Sequence, residues 1–270
     1  MWTEKLFRVK KPIIAMLHFR ELPGDPFFKH TDSMEQVIRY AREELHALQD
    51  GGVDGILFAD EFSLPYEKKV SYVTVAAMAR IIGELHTEVK LPYGVNISQN
   101  PLAAIELAAA VDAQFVRAPF TGAYLSDAGF IDTDVAAVLR RRRALGIEDL
   151  KLLFKVNPES DAYLVERSIE KITHSVIFHC RPDALCVSGE SAGKETDSGL
   201  ISRVKKVAVG IPVFCNTGTK KENVVDKLNF CDGCIVGTVF KKDGKFENFV
   251  EAKRVREFMD VVREYRKTLG

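Results

Sequence analysis

Polar side chains stand at the ends of otherwise apolar runs at His18, Asp60, Glu61, Asn96, Arg117, Lys155, Ser188, Asn216 and Thr238. Burying such groups is costly unless they are paired or used. His18 closes the run IIAMLH, where it is either a satisfied core histidine or a general acid/base or metal ligand. Asp60 and Glu61 are adjacent, so in extended backbone they point to opposite sides. Glu61 is assigned to the functional side as a base. Asp60 is left to cap a loop or meet a cation. Lys155 lies inside the run LLFKV. Pairing with Asp60 or Glu61 is its first reading, oxyanion binding its second and a Schiff base its third. Arg117 is a clamp on carboxylate or phosphate, or an interior ion pair. Glu61, His18 and Lys155 are thus the candidate catalytic set, for proton transfer or electrostatic stabilisation.

Small residues end three further runs, at Ser188–Gly189, Asn216–Thr217–Gly218 and Gly237–Thr238. Small residues let a ligand approach the backbone and leave N–H groups to point at it. Together the three turns are expected to form one oxyanion cradle, with Arg117 and Asn96 also binding substrate. The plainer reading is that the glycines serve tight turns. Lys241 either reaches a phosphate near Thr238 or is exposed. Asp127 and Asp197 fall in long loops, where they are turn residues or cover a ligand.

The elements that must position these groups alternate regularly. Apolar runs at 13–19, 55–59, 93–97, 114–118, 150–156, 184–187, 212–216 and 233–236 read as buried parallel strands. Helical patterns separate them. Ser33 with Gln36 forms a capping box for a helix that stops at Gly51–Gly52, and Pro101 opens another. The segment 119–132 is expected to be a long loop, and a helix is expected from Thr219 to Phe230. Eight strand–helix cycles with no linker imply a single α/β domain over residues 1–270, a (β/α)8 TIM barrel. Function then belongs at the strand C-termini, and the last turns fall where such barrels commonly hold phosphate.

The 270 residues are 46% hydrophobic and 28% charged, with 38 basic and 38 acidic side chains. Zero net charge gives no electrostatic case for nucleic acid. Five cysteines lie in or beside predicted core elements, as free thiols of a reducing compartment would. Cys231 and Cys234 form a CxxC with no second pair or nearby histidine, so no zinc site is assigned. No metal or cofactor is named. No apolar run spans a bilayer and the N-terminus lacks a signal pattern, which reads as a soluble cytoplasmic protein. Peripheral membrane association and a homo-oligomer are both compatible with this composition.

Several segments together resemble the BtpA/SgcQ family over nearly the whole chain. They are His18 with Leu22-Pro23-Gly24, GGVDG at 51–55, PYGVN at 92–96 with Asn100, FVR at 115–117, Gly122 through Asp127 to Gly129, DALCVSG at 183–189 followed by Gly193 and Asp197, ENV at 222–224, and DGCIVGTVFKKDG at 232–244. The resemblance implies a phosphate-binding type of TIM barrel. It also implies a link to photosystem I biogenesis through the family namesake, and to sugar transport through SgcQ-like members. The chain departs from the pattern at Asp60-Glu61-Phe62, at Ala118-Pro119 and at Lys155-Val156-Asn157. Anchoring of a ligand then carries over while substrate and reaction need not. An enzyme acting on a small phosphorylated metabolite is the first reading. A non-catalytic assembly factor for a membrane complex is the alternative.

Overall fold

The computed structural model describes residues 1–126, 129–157, 159–191 and 193–270. In chain order its strands are β1 (Ile13–His18), β2 (Gly55–Ala59), β3 (Tyr93–Asn96), β4 (Phe115–Ala118), β5 (Ala123–Ser126), β6 (Gly129–Asp132), β7 (Lys151–Lys155), β8 (Ala162–Tyr163), β9 (Ala184–Val187), β10 (Val213–Cys215) and β11 (Gly233–Val236). Eight of them close a barrel in the order β1-β11-β10-β9-β7-β4-β3-β2, and every pairing in it is parallel. The helices are α1 (Trp2–Phe7), α2 (Met34–Gly51), α3 (Tyr72–Leu85), α4 (Pro101–Ala110), α5 (Val135–Ala144), α6 (Ile169–Cys180), α7 (Ser198–Val207), α8 (Val224–Phe230) and α9 (Ala252–Lys267). The barrel is the expected (β/α)8 architecture.

Local chemistry sets the helix starts. The Ser33, Asn100 and Asp197 side chains accept from the N–H groups of Gln36, Ala103 and Leu200, satisfying donors that have no partner inside the helix. Asp197 is therefore a helix cap. The helices pack on one set of strand residues, including Ile13, Ala15, Leu17, Ile56, Phe58 and Val95. The alternate set fills the barrel, with Ile14, Met16, Leu57, Phe115, Leu153, Cys186, Phe214 and Ile235. Phe7 from α1 joins that interior and meets Phe115 edge-on at 5.8 Å, closing the N-terminal end.

Two expectations are corrected. The segment 119–132 holds β5 and β6, which form a three-stranded antiparallel sheet with β8 in the order β6-β5-β8. Tyr124 and Ile131 are buried on one face of this sheet, whereas Leu125 and Phe130 are exposed on the other. That two-residue alternation is a strand signal. Asp127 lies outside the described residues. The helix expected from Thr219 starts at Val224, because 217–223 is spent on a turn in which Asn223 Oδ1 accepts from Lys220 N and Asn223 Nδ2 donates to the Gly218 carbonyl. The short helix α1, for which the sequence analysis makes no assignment, occupies the N-terminus.

Candidate functional site at the barrel mouth

Strand periodicity decides which polar groups meet. Ile14 and Met16 face the barrel interior, so two residues on His18 does too. The same step places Arg117 above Phe115, Lys155 above Leu153, Ser188 above Cys186, Asn216 above Phe214 and Gly237 above Ile235. Glu61 follows Leu57 and Ala59 in the same parity. Asp60 is out of phase. It turns away and accepts from Ser98 N at 2.9 Å and Ser98 Oγ at 2.8 Å, fixing the loop after β3. Burial, then the neighbouring Glu61 charge, pushes the Asp60 carboxyl up to about 7.

Arg117 is the hub. It is 4% exposed. It donates to Asn216 Oδ1 at 3.0 Å, to Asn96 Oδ1 at 3.2 Å and to Glu61 Oε1 at 3.3 Å. Glu61 also accepts from the Tyr66 hydroxyl at 3.0 Å. Asn96, expected to bind substrate, is instead buried beneath the guanidinium and positions it. Lys155, expected to meet Asp60 or Glu61, pairs with Glu159 at 3.3 Å.

Glu159 is the residue that sequence reasoning missed. Its Oε1 accepts from Asn216 Nδ2 at 2.7 Å, from Ser188 Oγ at 3.0 Å and from Lys155 Nζ at 3.3 Å. Burial pushes this carboxyl up, but Lys155, Arg117 and the Ser188 hydroxyl outweigh it and hold it below the ordinary carboxylate value. Only its spacing of four from Lys155 hinted at the pair. A chain of contacts therefore crosses the mouth from Glu61 through Arg117, Asn216 and Glu159 to Lys155.

The three small-residue turns do not form one open cradle. Gly189 N donates to Thr217 Oγ1 at 2.6 Å, Ser188 N donates to Asn157 Oδ1 at 2.9 Å, and Thr196 Oγ1 donates to the Thr217 carbonyl at 3.0 Å. The Ser188–Gly189 donors are thus spent within the protein. The glycines have a packing reason as well. A Cβ on Gly218 would lie 2.3 Å from the Lys194 carbonyl oxygen, and one on Gly189 2.6 Å from that same oxygen. Both turns run under the Lys194 and Glu195 backbone, so chain crossing rather than ligand approach requires glycine there.

What stays open is a cavity of about 550 Å³ between the ends of β10 and β11. Asn216, Thr217, Gly218, Thr219 and Lys220 line one side, and Gly237, Thr238 and Val239 the other. Thr238 and Val239 open a short 3₁₀ turn, so their N–H groups have no acceptor within it. Arg254 of α9 joins the rim. His18 is 5% exposed and lines this cavity, with neither ring nitrogen hydrogen-bonded among the described residues. Burial, then the Lys241, Arg117 and Arg20 charges, lower its pKa well below the ordinary value, so the imidazole is neutral. Phe246 closes over it, 5.4 Å from the His18 ring and stacked on Phe62 at 4.4 Å. Lys241 neither reaches the cavity nor meets solvent. It is fully buried and donates to the Phe246 carbonyl at 2.7 Å, pinning that loop.

A second cavity, of about 230 Å³, lies on the other side of Arg117. No group of three or more His, Cys, Asp or Glu able to hold a metal ion occurs among the described residues. All five cysteines are buried free thiols. No described helix is long and apolar enough to cross a membrane.

The model of the BtpA family matches residues 9–264. The chain belongs to the BtpA family. Among BtpA relatives, the sgc region protein SgcQ of Escherichia coli K12 is 47% identical over 266 residues, covering 98% of this chain and 99% of that one. The photosystem I biogenesis protein BtpA of Synechocystis sp. PCC 6803 is 28% identical over 261 residues, covering 96% and 90%. Among solved structures, (S)-3-O-geranylgeranylglyceryl phosphate synthase of Thermoplasma acidophilum, in complex with substrate sn-glycerol-1-phosphate, superposes with a TM-score of 0.57 at 14% identity, covering 97% of each chain. At that identity the likeness is one of fold. The BtpA family assignment agrees with the resemblance read from the sequence.

Proposed function

We propose that this BtpA-family barrel is an enzyme acting on a small phosphorylated metabolite of the sugar-phosphate kind, bound in the larger cavity. One observation carries the reading. The ring of a buried, neutral imidazole lines the cavity at the C-terminal mouth, and neither of its nitrogens has a hydrogen-bond partner among the described residues. A buried polar group without a partner costs about 1–3 kcal/mol, and a ligand that reached the His18 ring would relieve that cost. An assembly scaffold has no need of such a group inside a cavity.

The phosphate would sit against the Thr217–Thr219 and Gly237–Val239 backbone, with Lys220 and Arg254 at the rim. A neutral imidazole offers one donor and one acceptor, which suits proton transfer to or from a substrate oxygen or carbon. Glu61, oriented by Tyr66 and Arg117, would serve as the opposing base. Lys155 acts through Glu159. The structural neighbour bound to sn-glycerol-1-phosphate adds a precedent for this fold.

The test is thermal unfolding with inorganic phosphate, sn-glycerol phosphates, ribose 5-phosphate and glucose 6-phosphate. Stabilisation by a phosphorylated compound is expected, and Thr238→Glu is expected to abolish it by placing a carboxylate at the anion position. No shift with any of them, or an equal shift in Thr238→Glu, overturns the reading and favours the biogenesis role carried by the Synechocystis relative's name.

A further inference from the structure

We propose that the smaller cavity is a second subsite, built for the hydroxyl-bearing part of the same substrate. The proposal rests on the reading of the larger cavity as the phosphate end. The two cavities share three lining residues, Glu61, Arg117 and Glu159. A ligand that touches these from one side needs only to continue past the guanidinium to enter the other space.

The chemistry of the second space differs from that of the first. Tyr66 and Tyr124 supply aromatic surface, and Gln99, Ser98, Lys155 and Asn157 supply polar groups. Both of its cations face carboxylates already, Arg117 with Glu61 and Lys155 with Glu159. Asp161 adds a third carboxylate to the lining. No surplus positive charge remains to hold a second anion, so a second phosphate or a carboxylate is disfavoured there. Mixed donors and acceptors beside aromatic rings suit alternating C–H and O–H groups. Gln99 Oε1 is out of contact with solvent and has no hydrogen-bond partner among the described residues. Rotation of the amide about its last side-chain bond would turn this acceptor into the cavity, where a hydroxyl supplies the donor and a phosphate dianion does not.

Size limits the class. At about 30 Å³ per water, 230 Å³ holds roughly eight waters, the room of a short polyol or one sugar ring. The wall opposite the barrel is the buried face of the β6-β5-β8 sheet, through Tyr124 and Ile131. A plain strand-to-helix connection would leave this side open. The inserted sheet is therefore what makes the compartment. The substrate class that fits both cavities is a phosphorylated polyol or aldose of about four to six carbons.

The experiment measures binding of inorganic phosphate, glucose 6-phosphate and the free polyols ribitol and sorbitol by calorimetry, in wild type and Gln99→Leu. Gln99→Leu removes the acceptor, and no hydrogen bond of the fold depends on it among those described. Glucose 6-phosphate is expected to bind about tenfold tighter than phosphate in wild type, and Gln99→Leu to shrink that gap to about twofold without changing phosphate affinity. If phosphate binds and the sugar adds nothing, or if Gln99→Leu weakens both alike, the second subsite is wrong while the phosphate reading stands. If phosphorylated compounds fail but polyols bind in a Gln99-dependent way, the subsite stands and the phosphate reading falls. Binding of neither class overturns both.

Discussion

The Asn216 side-chain amide donates to the Glu159 carboxylate across 2.7 Å, at the centre of the barrel mouth. Through its Oδ1, Asn216 also accepts from Arg117 at 3.0 Å. One amide thus ties the negative group of the β7–β8 loop to the positive hub of β4. Glu159 sits there as a charge that Lys155 and Arg117 require.

Glu159→Gln keeps the shape and removes that charge. Breaking a largely buried pair is expected to cost about 2 kcal/mol, less than a fully buried one because some solvent contact remains. Lys155→Met is expected to cost a similar amount, and the double variant less than the sum. The folded carboxyl lies below its ordinary value of 4.5, so this stabilisation is present above that pH and is lost on acidification. Urea midpoints at pH 7 and pH 4 check both points. Equal costs at the two pH values would exclude an ionic role.

Gly218 offers a test of why the turn after β10 is glycine. Its φ is +67°, and an added Cβ would strike the Glu195 backbone at 2.3 Å. Gly210 has a φ of +79° with nothing within 4 Å. Gly210→Ala is expected to cost about 1 kcal/mol, the left-handed backbone alone, whereas Gly218→Ala is expected to cost at least twice that. Chemical denaturation of the two variants makes the comparison. Similar losses would mean that the Lys194 and Glu195 backbone moves aside easily, and glycine would again be free to serve a ligand.

Asp60 sets a pH dependence of the opposite sense. Its folded value, about 7, lies above the ordinary 3.8, so the folded state holds the proton more tightly than the unfolded chain. Stability from this group is greatest at low pH and falls as pH rises from about 4 through 7. Asp60→Asn keeps one acceptor for Ser98. It is expected to raise the melting temperature at pH 8 and to leave it nearly unchanged at pH 4. A loss at pH 8 would mean that the charge is needed where it stands.

Much of the barrel was legible because its strands are apolar runs separated by helical patterns, and Ser33 and Pro101 announce their helices locally. The mouth residues were legible for a related reason, since a polar group closing an apolar strand carries a burial cost that only a partner or a ligand offsets. Their partners were not. Glu159 and Phe246 come from loops, and nothing in their neighbouring residues reports which strand they will cover. The glycine turns misled because a glycine under a crossing chain and a glycine under a ligand look alike in sequence. Parity separated Asp60 from Glu61 in the sequence, and the same step along every strand would have joined His18, Arg117, Lys155, Ser188 and Asn216 on one face.

His18 separates stability from function most cleanly. Its ring is buried, and its two nitrogens have no hydrogen-bond partner among the described residues. Its environment therefore stabilises nothing polar, and His18→Phe keeps the ring against Phe246 while removing two costly atoms. The variant is expected to be at least as stable as the parent at pH 8. The folded pKa lies well below 6.5, so the unfolded chain takes up a proton first and the parent loses stability as pH falls below about 6.5. His18→Phe lacks that loss, and its advantage is expected to grow at pH 5. The same variant is expected to lose turnover of, or stabilisation by, whichever phosphorylated compound the parent binds. A histidine kept for packing gives the reverse pattern, with reduced stability at both pH values and an unchanged ligand shift. Thermal unfolding at pH 5 and pH 8, with and without ligand, distinguishes the two because the cost of an unpartnered ring and its use on a substrate are read in separate columns of one experiment.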